Sequence, residues 1–493
     1  MSAPITAFSF DNTYANSLDG FYLPASAAGF PDPTLIKFNT ELAQELGLDP
    51  STLAGEHGAA IFSGNTALEG ATPLAQAYAG HQFGGFSPQL GDGRAILLGE
   101  IVDIHGKRRD VQLKGAGPTP FSRRGDGRAT LSSVLREYLL GEAMHGLGIP
   151  TTRALAAVTT GEPVARDGYV PGAVLTRVAA SHIRVGTFQF FAARGDEEKV
   201  RTLADYTIAR HYPACAEAEH PYLALLLAVA KAQAELIARW MHVGFIHGVM
   251  NTDNATVSGE TIDYGPCAFM DTYDLATVFS SIDTGGRYAY GNQPDIGKWN
   301  IARFAETLLP LIDEDTEAAI ARGHEALDAF TEHYERAWLD GMRAKLGLAQ
   351  PTDDDLAVAT GLLSIAAAQT ADYTSVFRAL AHAARGDQAP ATALLGDAQG
   401  FQPWVDAWLA RLDADPRTRA AIADDMDQVN PIYIPRNHKT EQALRAAVQD
   451  DDFEPFDALL AAVSKPFTER PELASLAAPA PMEFYPYRTF CGT

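Results

Sequence analysis

The spacing of hydrophobic residues divides the chain into a part that favours strands and a part that favours helices. Between about residues 75 and 178, short segments of alternating hydrophobic and polar residues are interrupted by glycines, which is typical of a small antiparallel sheet. One helix, residues 131–145, is predicted within this part, with Thr130 as its N-cap. The predicted strands are residues 94–101, 109–113, 154–159 and 173–178.

After about residue 187 the hydrophobic spacing becomes helical, most clearly at residues 222–241, and it stays helical to about residue 463 except in segment 245–275. We therefore predict an α+β protein with a small antiparallel sheet and a large helical part. The predicted units are a wrapping segment (1–70), a sheet unit (71–186), a helical unit (187–346), a helical extension (347–470) and an extended tail (471–493).

Composition excludes several classes of protein. Of 493 residues, 46% are hydrophobic and 20% are charged, which is typical of globular proteins and excludes a wholly disordered chain. The formal charge of −24 argues against binding to nucleic acid or to anionic membranes. The longest apolar run, residues 222–230, is too short to span a bilayer, and no basic residue precedes Lys37. We expect a soluble, cytoplasmic protein.

The charge is not uniform along the chain. Residues 94–136 contain nine Lys or Arg and four acidic residues, a local charge of +5. A glycine-rich turn, with Gly91, Gly93 and Arg94, enters the first strand of this stretch. Glycines allow a backbone to approach phosphate closely. The stretch is therefore a candidate anion site, although a glycine-rich turn before a strand is also typical of an ordinary hairpin.

Lys114 is the candidate phosphate-binding cation, because it projects from a predicted strand about 20 residues after the glycine-rich turn. Glu137, on the predicted helix, could pair with it. The alternatives are a solvated strand lysine and a solvent-facing glutamate. Arg177 and Arg184 follow at the junction with the helical part, where each could bind polyphosphate or form a structural ion pair.

The most specific motif is His247-Gly-Val-Met-Asn-Thr-Asp-Asn254, which is followed by Asp263-Tyr-Gly. The order of His, Asn and Asp-aromatic-Gly is that of protein kinases, in which Asn and Asp bind metal against nucleotide phosphates. Asn254 and Asp263 are therefore candidate metal ligands. Kinases have their base aspartate two residues after the histidine, where this chain has Val249. Asp253 is the candidate base instead, or a turn-forming residue.

These segments together resemble the selenoprotein O family, also called YdiU, whose members are protein adenylyltransferases with a pseudokinase fold. The resemblance covers nearly the whole chain, at residues 80–84, 112–123, 126–129, 247–254, 263–266, 430–438 and 491–493. It implies a bilobal, kinase-like fold with an antiparallel-sheet N-lobe and a helical C-lobe. It also implies that ATP is bound in a reversed orientation, so that AMP is transferred to Ser, Thr or Tyr hydroxyls of proteins and pyrophosphate is released.

The resemblance implies a role for each matching residue. Asp253 is the proton acceptor, Asn254 and Asp263 bind Mg²⁺, and Lys114 pairs with Glu137. Some relatives prefer Mn²⁺ and UTP. A monomer is expected, with nucleotide and acceptor proteins as its partners. The implied ATP contacts are Gly91, Gly93, Arg94, Lys114, Asp126, Gly127, Arg177, Arg184 and Asp263.

The C-terminus carries one further expectation. Eukaryotic members of the family have selenocysteine there, and this chain has Cys491. Cys267 lies four residues after Asp263, in the segment that corresponds to a kinase activation loop. A regulatory disulfide between Cys267 and Cys491 is one hypothesis, and two separate thiols in a reducing cytosol are the alternative.

Three activities follow as hypotheses from the sequence. The first is AMP transfer, or UMP transfer at the same site. The second is a catalytically inactive nucleotide-binding scaffold, which Val249 suggests. The third is γ-phosphoryl transfer with Asp253 as the base.

Overall fold

The computed structural model describes residues 8–396 and 400–490, and it has the predicted α+β architecture with an antiparallel sheet and many helices. The strands are β1 (Tyr22–Pro24), β2 (Thr34–Phe38), β3 (Leu74–Gln76), β4 (Gly80–Gln82), β5 (Gly85–Ser87), β6 (Ala95–Val102), β7 (Arg108–Lys114), β8 (Ala129–Thr130), β9 (Arg153–Ala165), β10 (Tyr169–Ala179), β11 (Phe245–Ile246) and β12 (Ala268–Phe269).

The helices account for most of the remaining chain. They are α1 (Thr13–Ser17), α2 (Thr40–Glu45), α3 (Gly55–Phe62), α4 (Leu131–Gly146), α5 (Val185–Ala192), α6 (Glu197–His211), α7 (Pro221–Val243), α8 (Gln293–Ile312), α9 (Thr316–Lys345), α10 (Asp355–Ala368), α11 (Tyr373–Ala384), α12 (Ala389–Leu395), α13 (Phe401–Asp413), α14 (Arg419–Val429), α15 (Asn437–Gln449), α16 (Glu454–Val463) and α17 (Ala474–Ala477).

The main sheet has the strand order β1-β3-β6-β7-β10-β9-β2, and β8 pairs with β10. All four predicted strands are present, but β9 and β10 continue into a long hairpin that the prediction missed. Pro163 and Pro171 lie opposite each other in that hairpin, at a point where the register shifts. Because prolines are unfavourable within a central strand, the sequence pattern predicted that the first strand ends before Pro163 and that the second begins after Pro171.

The N-terminal segment contributes strands to the sheet. β1 pairs with β3 at one edge, and β2 pairs with β9 at the other. α2 begins after Asn39, whose side chain accepts a hydrogen bond from the Leu42 amide at 3.0 Å. Residues predicted only to wrap around the protein therefore complete both edges of the sheet.

Helix α4 packs on the sheet and is covered on its other side by the C-terminal helices. Its N-cap is Thr130, as predicted, because Thr130 Oγ1 accepts from the Ser133 amide at 3.2 Å. Leu139 of α4 is buried in one cluster with Leu444 of α15 and Phe456 of α16. The last helices thus return to the sheet and hold α4 against it.

The largest hydrophobic cluster lies in the helical part, where α7 packs against α8 and α9. Among the described residues, α7 is the one helix with the length and apolar composition of a membrane span, and half of its most apolar window is buried inside the fold. A core helix of a globular protein has the same composition.

Candidate active site

A cluster of charged side chains lies where strands β7 and β10, helix α4 and the segment after β11 meet. Strand pairing places Lys114 of β7 opposite Leu175 of β10, and Gln112 opposite Arg177. Lys114 Nζ donates to Glu137 Oε2 of α4 at 2.6 Å. The predicted pairing of these two residues is thus present in the structure.

Asp263 is at the centre of the cluster. Its Oδ1 accepts from Lys114 Nζ at 2.8 Å and from Arg177 Nη1 at 2.7 Å, and its Oδ2 accepts from Arg184 Nη1 at 2.8 Å. Its backbone φ is 64°, in the left-handed region that non-glycine residues seldom adopt. Burial alone would raise the pKa of Asp263, but the three cations outweigh burial and hold the pKa well below its ordinary value. Asp263 is therefore ionised.

Arg184 connects this cluster to the loop that contains Asp253. Its Nη1 donates to the Asp253 carbonyl at 2.7 Å as well as to Asp263. Its guanidinium lies over the Tyr78 ring, 4.6 Å from the centroid, and 3.8 Å from Asp92 Oδ1. One buried arginine thus brings the predicted base and the predicted metal ligand close together.

The carboxylate of Asp253 is enclosed by strand β4 and has one free oxygen. Gln82 Nε2 donates to its Oδ2 at 3.0 Å, whereas Oδ1 is buried with no hydrogen bond among the described residues. A Cβ on Gly80 would collide with this carboxylate, so only glycine fits there. Burial raises the pKa of Asp253 to about 6, which is near the range that general bases need.

Asn254 and Asp263 supply the oxygens that a divalent cation would use. Asn254 lies in a 3₁₀ turn, Thr252–Asn254, and its Nδ2 donates to the Val249 carbonyl at 2.9 Å. Its amide oxygen is therefore left as an acceptor. Together with the ionised Asp263, it offers the hard oxygen ligands that a divalent cation prefers. Within residues 8–396 and 400–490, no group of three or more His, Cys, Asp or Glu is arranged to hold a metal.

The glycine-rich turn lies beside the cluster, but its glycines are explained first by packing within the protein. Gly91 has a φ of 77°, and a Cβ there would collide with the Phe121 ring. Thr119 Oγ1 donates to the Asp92 carbonyl at 2.6 Å, so the loop that contains Thr119 and Phe121 packs against the turn that contains Gly91. Arg94 follows Gly93, and its carbonyl accepts from the Gly115 amide at 2.7 Å.

The second glycine-rich turn is also explained by packing within the protein. Gly127 has a φ of 66° and is packed against the backbone of Gly117. Asp126 is exposed, and its Oδ2 accepts from Arg166 Nη1 at 2.8 Å. Within the described residues, Asp126 has no ion pair with Lys114 or with Arg184.

Sequence reasoning missed four polar residues that shape this site: Asp92, Gln112, Tyr78 and Gln82. Asp92 is buried, and its Oδ2 accepts from the Gln76 amide at 3.1 Å and from Gln112 Nε2 at 3.3 Å. Gln112 Oε1 in turn accepts from Arg177 Nη2 at 2.6 Å. The alternation of β7 already placed Gln112 on the face of Lys114, and that signal could have found it.

Cys267 is buried close to the C-terminal tail. Its carbonyl accepts from Arg136 Nη2 of α4 at 2.6 Å. Thr489 Oγ1 donates at 2.6 Å to the carbonyl of Pro266, the residue before Cys267. Cys491 itself lies outside the described residues.

Comparison with known proteins identifies the family. Residues 4–464 match the family model described as Protein adenylyltransferase SelO. The chain is 60% identical over 490 residues to a protein nucleotidyltransferase YdiU of Rhizobium leguminosarum bv. trifolii, covering 99% of this chain and 98% of the relative. It is 62% identical over 488 residues to a protein of the same name from Cereibacter sphaeroides, covering 99% and 100%. The chain therefore belongs to the SelO family of protein adenylyltransferases, and it is a nucleotidyltransferase.

Proposed function

We propose that this protein transfers AMP from ATP to Ser, Thr or Tyr hydroxyls of other proteins and releases pyrophosphate. One observation carries the proposal: a buried carboxylate with a free oxygen, Asp253, lies beside a cluster in which three cations surround Asp263. The cations suit a triphosphate, and the carboxylate suits an acceptor hydroxyl.

In the proposed reaction, Asp253 Oδ1 accepts the proton of the acceptor hydroxyl. The hydroxyl oxygen forms a bond to the α-phosphorus, and the bond from that phosphorus to the α–β bridging oxygen breaks. Pyrophosphate leaves with the electron pair of that bond. Lys114, Arg177 and Arg184 stabilise the negative charge on the phosphates. A divalent cation on Asn254 and Asp263 would neutralise phosphate charge when bound.

Geometry explains why each cation is held in place. Arg177 is fully buried, with its guanidinium bonded to Gln112 and to two carboxylates, and Lys114 is held between Glu137 and Asp263. Preorganised donors lose little freedom when the charge of the reaction develops. We assign Gly91, Gly93, Arg94, Asp126 and Gly127 as further ATP contacts on the basis of the family resemblance.

We also propose ATP and Mg²⁺ as the preferred nucleotide and metal, with UTP and Mn²⁺ as the alternatives to compare. We place the protein in the cytoplasm as a monomer without nucleic-acid or membrane partners, in keeping with the charge of −24. The division at residues 70, 186, 346 and 470 into a wrapping segment, two kinase-like lobes, a helical extension and a tail is part of this proposal.

A redox role belongs to the same proposal. We propose that Cys267 and Cys491 form a disulfide when glutathione disulfide accepts their two electrons and becomes two glutathione thiols. The hydrogen bond from the Thr489 hydroxyl to the Pro266 carbonyl places Thr489 of the tail close to Cys267. Peptide mapping after oxidation should show two thiols lost and Cys215 still open to alkylation. Full alkylation of Cys267 and Cys491 after oxidation would contradict this role.

Labelled ATP distinguishes AMP transfer from its alternatives. With Mg²⁺ and a protein extract as acceptor, label from the α position should appear on protein, and label from the γ position should not. Lys114→Ala and Asp263→Ala should abolish the transfer, because the first removes a phosphate-binding cation and the second a metal ligand. Protein labelled from the γ position would indicate a phosphotransferase, and no labelling from either position would indicate a scaffold.

A further inference from the structure

A short hairpin, β4 and β5, lies against the loop that carries Asp253. The His81 amide donates to Thr252 Oγ1 at 2.7 Å, and the Phe83 amide donates to Asn251 Oδ1 at 3.2 Å. Gln82 lies between these two residues and donates to Asp253. The hairpin is therefore fixed to the candidate base itself and to the two residues that precede it.

The outer side of this hairpin is aromatic and exposed. Phe83 is 39% exposed and Phe86 is 41% exposed. The ring of His81 lies 4.8 Å from Phe86 and 5.3 Å from Trp299 of α8, measured between centroids. We call Phe83, Phe86, Trp299 and Arg287 the hairpin patch.

Arg287 gives the hairpin patch its charge. Its guanidinium lies over the Trp299 ring, 4.8 Å from the centroid, and beside Gly84 at the tip of the hairpin. Within the part of the chain that the structure describes, no carboxylate lies within 4.0 Å of it, and its buried Nε has no hydrogen bond. Arg303 lies on the same ring, at 5.2 Å, but is paired with Glu306 at 2.6 Å.

Arg287 is thus a positive charge without an ion pair to any described residue, in a protein whose net charge is −24. At physiological ionic strength, charges further away than about 8 Å are largely screened, so the local guanidinium decides what binds at this patch. A planar guanidinium over an aromatic ring is suited to bind a carboxylate. An acidic side chain on a partner is therefore favoured here.

From these contacts we infer that the hairpin patch binds the acceptor polypeptide and selects a hydroxyl residue with an acidic neighbour. This inference rests on the proposed function, since it assumes that the hydroxyl reaches Asp253. Phe83 directly follows Gln82, which donates to Asp253, so the hairpin patch lies beside the candidate base and the acidic neighbour would be close to the acceptor residue in the polypeptide. Phe83 and Phe86 would contact the intervening chain.

The test uses three fluorescent peptides of equal length with one Tyr and with Asp, Ala or Lys two and three residues on either side of it. Binding to the full-length protein is measured by fluorescence anisotropy, and AMP transfer is measured separately with α-labelled ATP. We expect the Asp peptide to bind about threefold to tenfold more tightly than the Lys peptide, as for a partly shielded ion pair. Arg287→Glu should reverse this order.

Arg303→Ala is the matched control. It removes a guanidinium that lies on the same Trp299 ring but is already paired with a carboxylate, that of Glu306. It should leave the order of the three peptides unchanged. Phe83→Asn, which keeps a residue tolerant of the left-handed backbone, should weaken all three peptides equally.

Equal binding of the three peptides to the unaltered protein would overturn the inference, and so would an unchanged order in Arg287→Glu. A weakened affinity for ATP in Arg287→Glu, with peptide binding unaffected, would also overturn it and assign Arg287 to the nucleotide. If the three peptides bind in the expected order but no α-label reaches any acceptor, the proposed AMP transfer is wrong, whereas the inferred peptide binding at the hairpin patch is supported.

Discussion

Replacement of Asp263 by asparagine tests the cation cluster through protein stability, without an acceptor protein. In the structure, three cationic groups lie 2.7–2.8 Å from the two oxygens of this carboxylate. The remaining carboxylates are Glu137, at 2.6 Å from Lys114, and Asp92, at 3.8 Å from Arg184. The substitution therefore leaves three buried cations with two partners.

Breaking a buried ion pair by removing one partner costs about 3–5 kcal/mol, because an uncompensated charge remains. We expect Asp263→Asn to lower the free energy of unfolding by about this amount, measured by urea denaturation with circular dichroism. Metal-free ATP should then stabilise the variant at least as much as the unaltered protein, since the triphosphate restores negative charge next to the three cations.

Asp126→Asn is the control, because Asp126 is also a carboxylate paired with arginine but is exposed. Its loss should cost about 0–1 kcal/mol, as for surface ion pairs. Two results would contradict this expectation: unfolding of Asp263→Asn at the same urea concentration as Asp126→Asn, or destabilisation of the Asp263 variant by ATP without metal.

Three further predictions concern the base and one buried amine. Asp253→Asn should lower kcat by about 10²–10⁴ and leave ATP affinity unchanged in calorimetry; full activity would show that Asp253 is not the base. Gly80→Ala should lower kcat with an unchanged KM for ATP, because the new Cβ displaces the Asp253 carboxylate; a rise in the KM for ATP alone would contradict this reading. Lys345 is buried, its Nζ lies 3.9 Å from the Phe377 ring centroid, and burial lowers its pKa to about 7 from the ordinary 10.5. Below pH 7 the Lys345 amine is charged in both the folded and the unfolded chain, and its burial then destabilises the fold in full. Between pH 7 and 10.5 the folded protein loses this proton before the unfolded chain does, so the destabilisation decreases as the pH rises. Lys345→Met should therefore stabilise the protein by about 1–4 kcal/mol at pH 6 and by less at pH 10, in urea titrations. A gain that is equal at both pH values would refute the assignment.

Local patterns predicted much of the fold. The alternation of β7 identified the face of Lys114, and Thr130 marked the start of α4. The full length of the hairpin β9–β10 was not predicted, because prolines are unfavourable in strands. In the structure, pairing between the two strands outweighs this local preference.

The site was predicted in part, for a related reason. Lys114, Glu137 and Asp263 lie in recognisable local motifs, and the structure brings them together. The contact between Gln82 and Asp253 joins residues 171 positions apart, and no local spacing encodes it. Asp92 was missed because its burial depends on strand order, which is a tertiary property.

We propose that Asp253 and the cations around Asp263 direct an acceptor hydroxyl to the α-phosphorus of ATP. Intact-mass spectrometry of a purified acceptor protein, after incubation with this protein, ATP and Mg²⁺, tests it most directly. We expect a mass increase of one AMP on the acceptor with the unaltered protein and no increase with Asp263→Ala. A mass increase of one phosphate, or an AMP increase that persists in Asp263→Ala, would contradict it.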